Sequence, residues 1–191
     1  MKQSRLFLFL FASLLLLAAK GNSQWRQIGP GSGPPVSCLV EHQNKLYAGT
    51  TSGLFVSTDL GSTWNQLPRF SYWGDDVRML YSSGEYLFAA TANEDTLFCS
   101  TDGGLSWLHP SSGLTYQIVK SMTSFNGKLF AGTVDGQAHW GISSGGVYCS
   151  SDSGISWQHI DSLAMRFSTD RLLSHGHILI ALTNNGIYRS S

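Results

Sequence analysis

"STDLGSTW" occupies residues 57–64, and the chain spells it twice more, as "STDGGLSW" at 100–107 and "SSDSGISW" at 150–157. Each copy keeps Ser-x-Asp-x-Gly-x-(Ser/Thr)-Trp. The positions are Ser57, Asp59, Gly61 and Trp64, then Ser100, Asp102, Gly104 and Trp107, then Ser150, Asp152, Gly154 and Trp157. An acid supplied in triplicate at one place in a repeat builds structure rather than performing a single reaction. The Asp carboxylate suits a turn because it accepts backbone N–H bonds. The glycine suits a left-handed or crowded backbone position, and the Trp ring covers the turn.

Outward from the motif, the similarity takes in most of the chain. "VSCLVEHQNKLYAGT" (36–50) aligns without a gap on "VRMLYSSGEYLFAAT" (77–91), "VKSMTSFNGKLFAGT" (119–133) and "TDRLLSHGHILIALT" (169–183). "GLFVSTD", "TLFCSTD", "GVYCSSD" and "GIYRSS" come next in turn. A period of roughly 40–50 residues means one supersecondary unit per copy. Each unit holds four strand signals, in the first copy Val36 to about Glu41, "KLYAGT", "LFVS" and "TWNQL". "HQNK", "SGEY", "NGK" and "SHGH" read as hairpin tips between the first two strands. Four antiparallel strands per repeat predict an all-β fold, a β-propeller of four-stranded blades with the motif in the third-to-fourth-strand hairpin.

The three motifs resemble the Asp-boxes, or bacterial neuraminidase repeats, of sialidases, sortilin-type receptors, xyloglucanases and photosystem II assembly factors. The resemblance spans essentially all of residues 24–191. It implies a propeller and no single activity, because enzymes, receptors and assembly factors share it. It also implies that the motifs lie at the propeller rim, away from any catalytic centre.

Residues 1–23 read as a signal peptide: Lys2 and Arg5 precede the apolar run "LFLFLFASLLLLAA", and small and polar residues follow. The run is short for a membrane span and no Cys follows it, so the expectation is a secreted or periplasmic chain without a membrane anchor. Residues 24–191 form the propeller, about four blades. The fourth unit stops at "GIYRSS", before its Asp, Gly and Trp, while "WRQIG" at 25–29 resembles a fourth strand such as "WNQL". Either the propeller is partial, or Trp25–Ile28 completes the last blade.

The formal net charge is zero and 13% of residues are charged. No basic stripe exists, which argues against a nucleic-acid partner. Cys38, Cys99 and Cys149 make an odd number, and the repeat aligns them with Met79 and Val56, so they read as small buried hydrophobes rather than a disulfide.

Strand alternation puts the blade-to-blade links and the second-to-third-strand loops on one face, which collects the irregular sequence. The third unit carries an insertion there, "VDGQAHWGISSGG" (134–146), with His139 and Trp140. With Tyr72, Trp73, Tyr116 and Arg166 these form the candidate ligand-binding set, able to stack on a sugar ring or hold a peptide. The same aromatics would also serve to pack between blades. The expected activity is non-catalytic binding of a protein or glycan. The alternative, implied by the resemblance, is a sialidase-like or other glycoside hydrolase of which this chain is a fragment. That chemistry needs an arginine cluster or a carboxylate pair across a cleft. Arg69, Arg78, Arg166 and Arg171 stand in no recognisable motif; Asp75, Asp76, Glu94 and Asp95 are the available acids. No catalytic residue is assigned. "HGH" at 175–177 lacks a third ligand and reads as a turn, so neither a metal nor a cofactor is expected.

Overall fold

The computed structural model describes residues 26–29, 33–68, 76–93, 97–109, 112–115, 117–136, 145–160 and 167–190. All of its regular elements are strands. They form four antiparallel meanders, one per sequence repeat. Blade 1 comprises β1 (Val36–His42), β2 (Lys45–Thr50), β3 (Gly53–Ser57) and β4 (Asn65–Gln66). Blade 2 comprises β5 (Val77–Ser83), β6 (Tyr86–Thr91) and β7 (Leu97–Ser100). Blade 3 comprises β8 (Gln117–Phe125), β9 (Lys128–Asp135), β10 (Gly146–Ser150) and β11 (Gln158–His159). Blade 4 comprises β12 (Thr169–His175), β13 (Ile178–Thr183) and β14 (Gly186–Arg189).

Among the described residues blades 2 and 4 have three strands each, blade 4 being the unit whose sequence stops before its fourth strand. In blade 2 the fourth strand shrinks to a single bridge between Cys99 and Leu108. In blade 4 the described chain ends one residue after β14, and no fourth strand pairs with it. The first strands of successive sheets touch, β1 with β5, β5 with β8 and β8 with β12, so the sheets stack around a centre lined by first strands. That is the propeller arrangement. Each first strand also carries an irregularity at the same place, at Val36/Cys38, Val77/Met79, Val119/Ser121 and Thr169/Arg171. A repeated bulge adds twist to the innermost strand of every blade.

Antiparallel register gives each sheet a forward and a rear face. The forward face of blade 1 carries Cys38, Val40, Tyr47, Leu54 and Val56. It packs on the rear face of blade 2, where Val77, Leu80, Leu87 and Ala89 stand. Blade 2 repeats the scheme, setting Met79, Phe88, Leu97 and Cys99 against Val119, Met122, Leu129, Ala131 and Tyr148 of blade 3. Blade 3 sets Phe130 and Val147 against Leu172, Leu179 and Ala181 of blade 4. The core is a series of sheet-to-sheet layers. Polar groups stitch them: His42 Nδ1 lies 2.9 Å from Ser82 Oγ, and Thr123 Oγ1 donates to Ser174 Oγ at 3.1 Å. The three thiols are free and at least half-buried, as hydrophobic fillers of these layers.

The hairpin tips fall where the sequence puts them. Gln43 and Asn44 take φ of 50° and 61°, and Asn126 and Gly127 take 48° and 73°. His42, read as part of the "HQNK" tip, instead ends β1. Its ring is buried between blades, and burial, then the nearby Lys45 charge, lowers its pKa, so it serves as a neutral packing group.

Candidate functional site

The repeated motif forms the hairpin that leaves the third strand, and its three copies share one set of bonds. In blade 1, Ser57 Oγ donates to Asp59 Oδ1 at 2.8 Å and accepts the Gly61 N–H at 2.8 Å. Asp59 Oδ1 also accepts the Thr63 N–H at 2.8 Å, and Oδ2 accepts the Thr63 hydroxyl at 2.6 Å. The Trp64 indole N–H closes the loop on the Gly61 carbonyl at 3.1 Å. Ser100, Asp102, Gly104, Ser106 and Trp107 repeat this set. Ser150, Asp152, Gly154, Ser156 and Trp157 repeat it again. Bonds from the Thr63, Ser106 or Ser156 hydroxyl, then from the N–H of the same residue, hold each Asp carboxyl down at about 2. Such a carboxylate is ionised at any physiological pH, with Oδ2 accepting one bond from the hydroxyl and Oδ1 the others. Ionised, it is no proton donor, and its bonds hold the hairpin together.

The glycines answer to both reasons offered for them. Gly61, Gly104 and Gly154 take φ of 87°, 86° and 90°. A methyl built on them would meet Ile28, Leu67 or Phe88 at 2.7–2.8 Å. At Gly104 and Gly154 the neighbouring blade thus presses on the turn where a side chain would start. Tyr47 shows the same docking from below, its hydroxyl donating to the Gly103 carbonyl at 3.2 Å.

The opposite face carries the second-to-third-strand connections. Thr50 and Thr183 end second strands there and Thr133 stands two residues before the end of β9, and their hydroxyls tie the connection. Thr50 Oγ1 donates to the Gly53 carbonyl and Thr183 Oγ1 to the Gly186 carbonyl, both at 2.9 Å. Where the insertion lengthens this connection, Thr133 Oγ1 donates to Gln117 Oε1 at 2.7 Å and accepts the Gly146 N–H at 3.1 Å. Gln117 is buried, and through Thr133 it braces both ends of the insertion. Sequence reading missed this role; the signal was the threonine recurring at 50, 91, 133 and 183.

Tyr72, Trp73, Tyr116, His139, Trp140 and Arg166, the proposed ligand set, lie outside the described residues, as do Arg69, Asp75, Glu94 and Asp95. Of the other candidate catalytic groups, Asp76 is engaged by Arg78, Nη2 to Oδ2 at 2.6 Å, in a partly exposed pair. Arg171 stands on the forward face of blade 4. His175 ends β12 and His177 lies in the following turn, so the two imidazoles sit at a hairpin tip.

With the blades and their two faces described, comparison with known proteins decides the family. The sequence model of the DUF6242 beta propeller domain matches residues 1–138. The chain belongs to this family. No curated protein matches the DUF6242 chain. Among solved structures it is similar to the computationally designed Ika4 protein, with a TM-score of 0.61 and 12% identity over 87% of this chain and 98% of that one. An ancestral GH74 enzyme gives 0.60 and 21% over 87% of this chain and 24% of that one. YCF48 bound to D1 peptide gives 0.56 and 14% over 82% and 50%. The DUF6242 chain thus spans about a quarter of the enzyme and half of YCF48. At these identities the likeness is one of fold.

Proposed function

We propose that this DUF6242 propeller is an exported binding module of the Asp-box type that holds a protein or glycan partner on the face opposite its motif hairpins, and that it does no chemistry. The observation that carries the reading is the bonding of Asp59, Asp102 and Asp152. The acids that define the repeat are consumed inside their own turns, which leaves the fold a scaffold for the loops of the other face. The brace from Gln117 through Thr133 to Gly146 supports that role for the insertion, because a loop anchored at both ends binds with less ordering cost. The similarity to YCF48, a propeller described with a bound peptide, supports a protein partner; the similarity to a GH74 enzyme is of fold only.

The test is binding of the exported protein to glycan and secreted-protein arrays, with a His139→Ala, Trp140→Ala double variant beside it. Loss of a signal in a variant that still melts cooperatively is the expected result. Binding that survives the double change, or turnover of glycosides by the unaltered protein, would overturn the proposal.

A further inference from the structure

The last residue of the first strand is His42 in blade 1, Ser83 in blade 2 and Phe125 in blade 3. Strand alternation puts all three on the forward face, where the next blade packs. Between blades 1 and 2 the His42 ring fills this place. It is buried, lies edge-on to Tyr47 with centroids 6.0 Å apart, and meets Ser82 Oγ through Nδ1. Between blades 3 and 4 the Phe125 ring fills it, packed on the layer that holds Phe130 and Leu179. Between blades 2 and 3 the residue is Ser83, which has no ring. There a cavity of about 160 Å³ opens, with Ser83 and Tyr86 on the blade 2 side and Ser124, Lys128, Leu129 and Ser153 on the blade 3 side. A cavity of roughly 150 Å³ holds one six-membered ring.

A second observation is the serine that faces this place from the rear of the next blade. It recurs as Ser82, Ser124 and Ser174 in blades 2, 3 and 4. Ser82 is bonded to His42, and Ser174 accepts the Thr123 hydroxyl at 3.1 Å. Ser124 has no side-chain hydrogen bond among the described residues. Tyr81 stands in blade 2 where blade 3 has Thr123, and its ring lies against Phe88 instead, centroids 6.5 Å apart. Tyr86 stacks on Phe88 at 6.1 Å and gives the cavity an aromatic wall. The lining includes the cation Lys128 and no carboxylate, which favours a neutral occupant over a cationic one.

We propose that the junction of blades 2 and 3 binds one neutral aromatic ring bearing a hydrogen-bonding atom, an imidazole or a phenol. The ring takes the place that His42 takes one junction earlier. The Ser124 hydroxyl donates to an imidazole nitrogen or accepts from a phenol O–H, as a serine hydroxyl can do either. The site opens beside the β5–β6 and β8–β9 tips, on the face of the motif hairpins, and so is separate from the loop face assigned to the main partner.

The experiment is a chemical-shift titration of the full exported chain with three probes: neutral 4-methylimidazole, p-cresol, and toluene as a ring without a polar atom. Roughly millimolar or tighter binding of the first two is expected, with shifts centred on residues 83–86 and 124–129. Toluene should bind about fivefold to tenfold more weakly, the worth of one hydrogen bond. Ser124→Ala should weaken p-cresol by the same factor and leave toluene unchanged. Ser83→His puts the chain's own ring in the cavity and should abolish binding of all three. Cooperative melting checks that each variant folds, and Ser124→Ala carries the test if Ser83→His does not. The inference is overturned by no binding at tens of millimolar, by toluene binding as well as p-cresol, or by binding that survives Ser83→His in folded protein. The tripeptides Gly-His-Gly and Gly-Tyr-Gly identify the source of the ring once the free rings bind. Binding equal to that of the free rings assigns the site to a peptide side chain, and exclusion of the peptides assigns it to a free small molecule.

Discussion

Gly154→Ala separates the two duties of the motif glycine. Its φ of 90° costs an alanine roughly 1–2 kcal/mol through Cβ crowding of the backbone alone. The new methyl would also stand 2.7 Å from Phe88 Cε1 and 2.9 Å from Cζ, across the junction of blades 2 and 3. Forcing a methyl into a packed layer adds roughly 1–3 kcal/mol. Gly127, in the β8–β9 turn of the same blade, supplies the comparison. It has φ of 73° and open space around it, so Gly127→Ala carries the backbone cost only. Urea unfolding followed by Trp fluorescence should show Gly154→Ala more destabilising than Gly127→Ala by roughly 1–3 kcal/mol. Placing Phe88→Leu beneath it removes the ring edge and should shrink the Gly154→Ala penalty toward that of Gly127→Ala, a coupling of at least about 1 kcal/mol. Equal penalties for the two glycines, or additivity with Phe88→Leu, would refute the view that blade contact selects the glycine.

Two further outcomes follow from the titrating groups. Folding pulls Asp59, Asp102 and Asp152 from the ordinary 3.8 to about 2, so at pH 3 the unfolded chain binds more protons than the folded one. The stability these groups supply is complete above about pH 4 and is lost as pH falls toward 2; thermal unfolding across that window should show the loss, and Asp102→Asn should flatten its slope. Burial pushes the Cys38 and Cys99 thiols up to about 11 and raises Cys149 as well. Alkylation of Cys38 and Cys99 at pH 8 should therefore be at least ~100-fold slower in native protein than in denaturant, and that of Cys149 slower as well, with three thiols modified once unfolded. Rapid native labelling, or fewer than three reactive thiols, would contradict this packing.

Asp102 and Gly104 were legible from local spacing because a turn's bonds run between residues two to four apart. The same holds for the strand pairs, whose register follows from alternation and tip length, and for the three thiols, whose burial shows in their alignment with Met79 and Val56. The ligand set was read by composition, from aromatics in irregular segments, and those residues lie outside the described structure; the local signal named them without a geometry.

What the sequence alone determined is the repeating unit: its strand order, its hairpins and the turn that Ser, Asp, Gly and Trp build, all short-range matters of backbone hydrogen bonding. Only the tertiary structure decided how units meet. It buried His42 between two blades. It gave Gly154 to Phe88, reduced the outer strand of blade 2 to one bridge, and left Leu39 and Ile187 exposed at opposite ends of the stack. Val36 and Val77 occupy equivalent places in near-identical patterns, and one is half exposed while the other is wholly buried. Among the described residues Val77 has a preceding blade packed on it and Val36 does not, and a repeat pattern carries no information about such contacts.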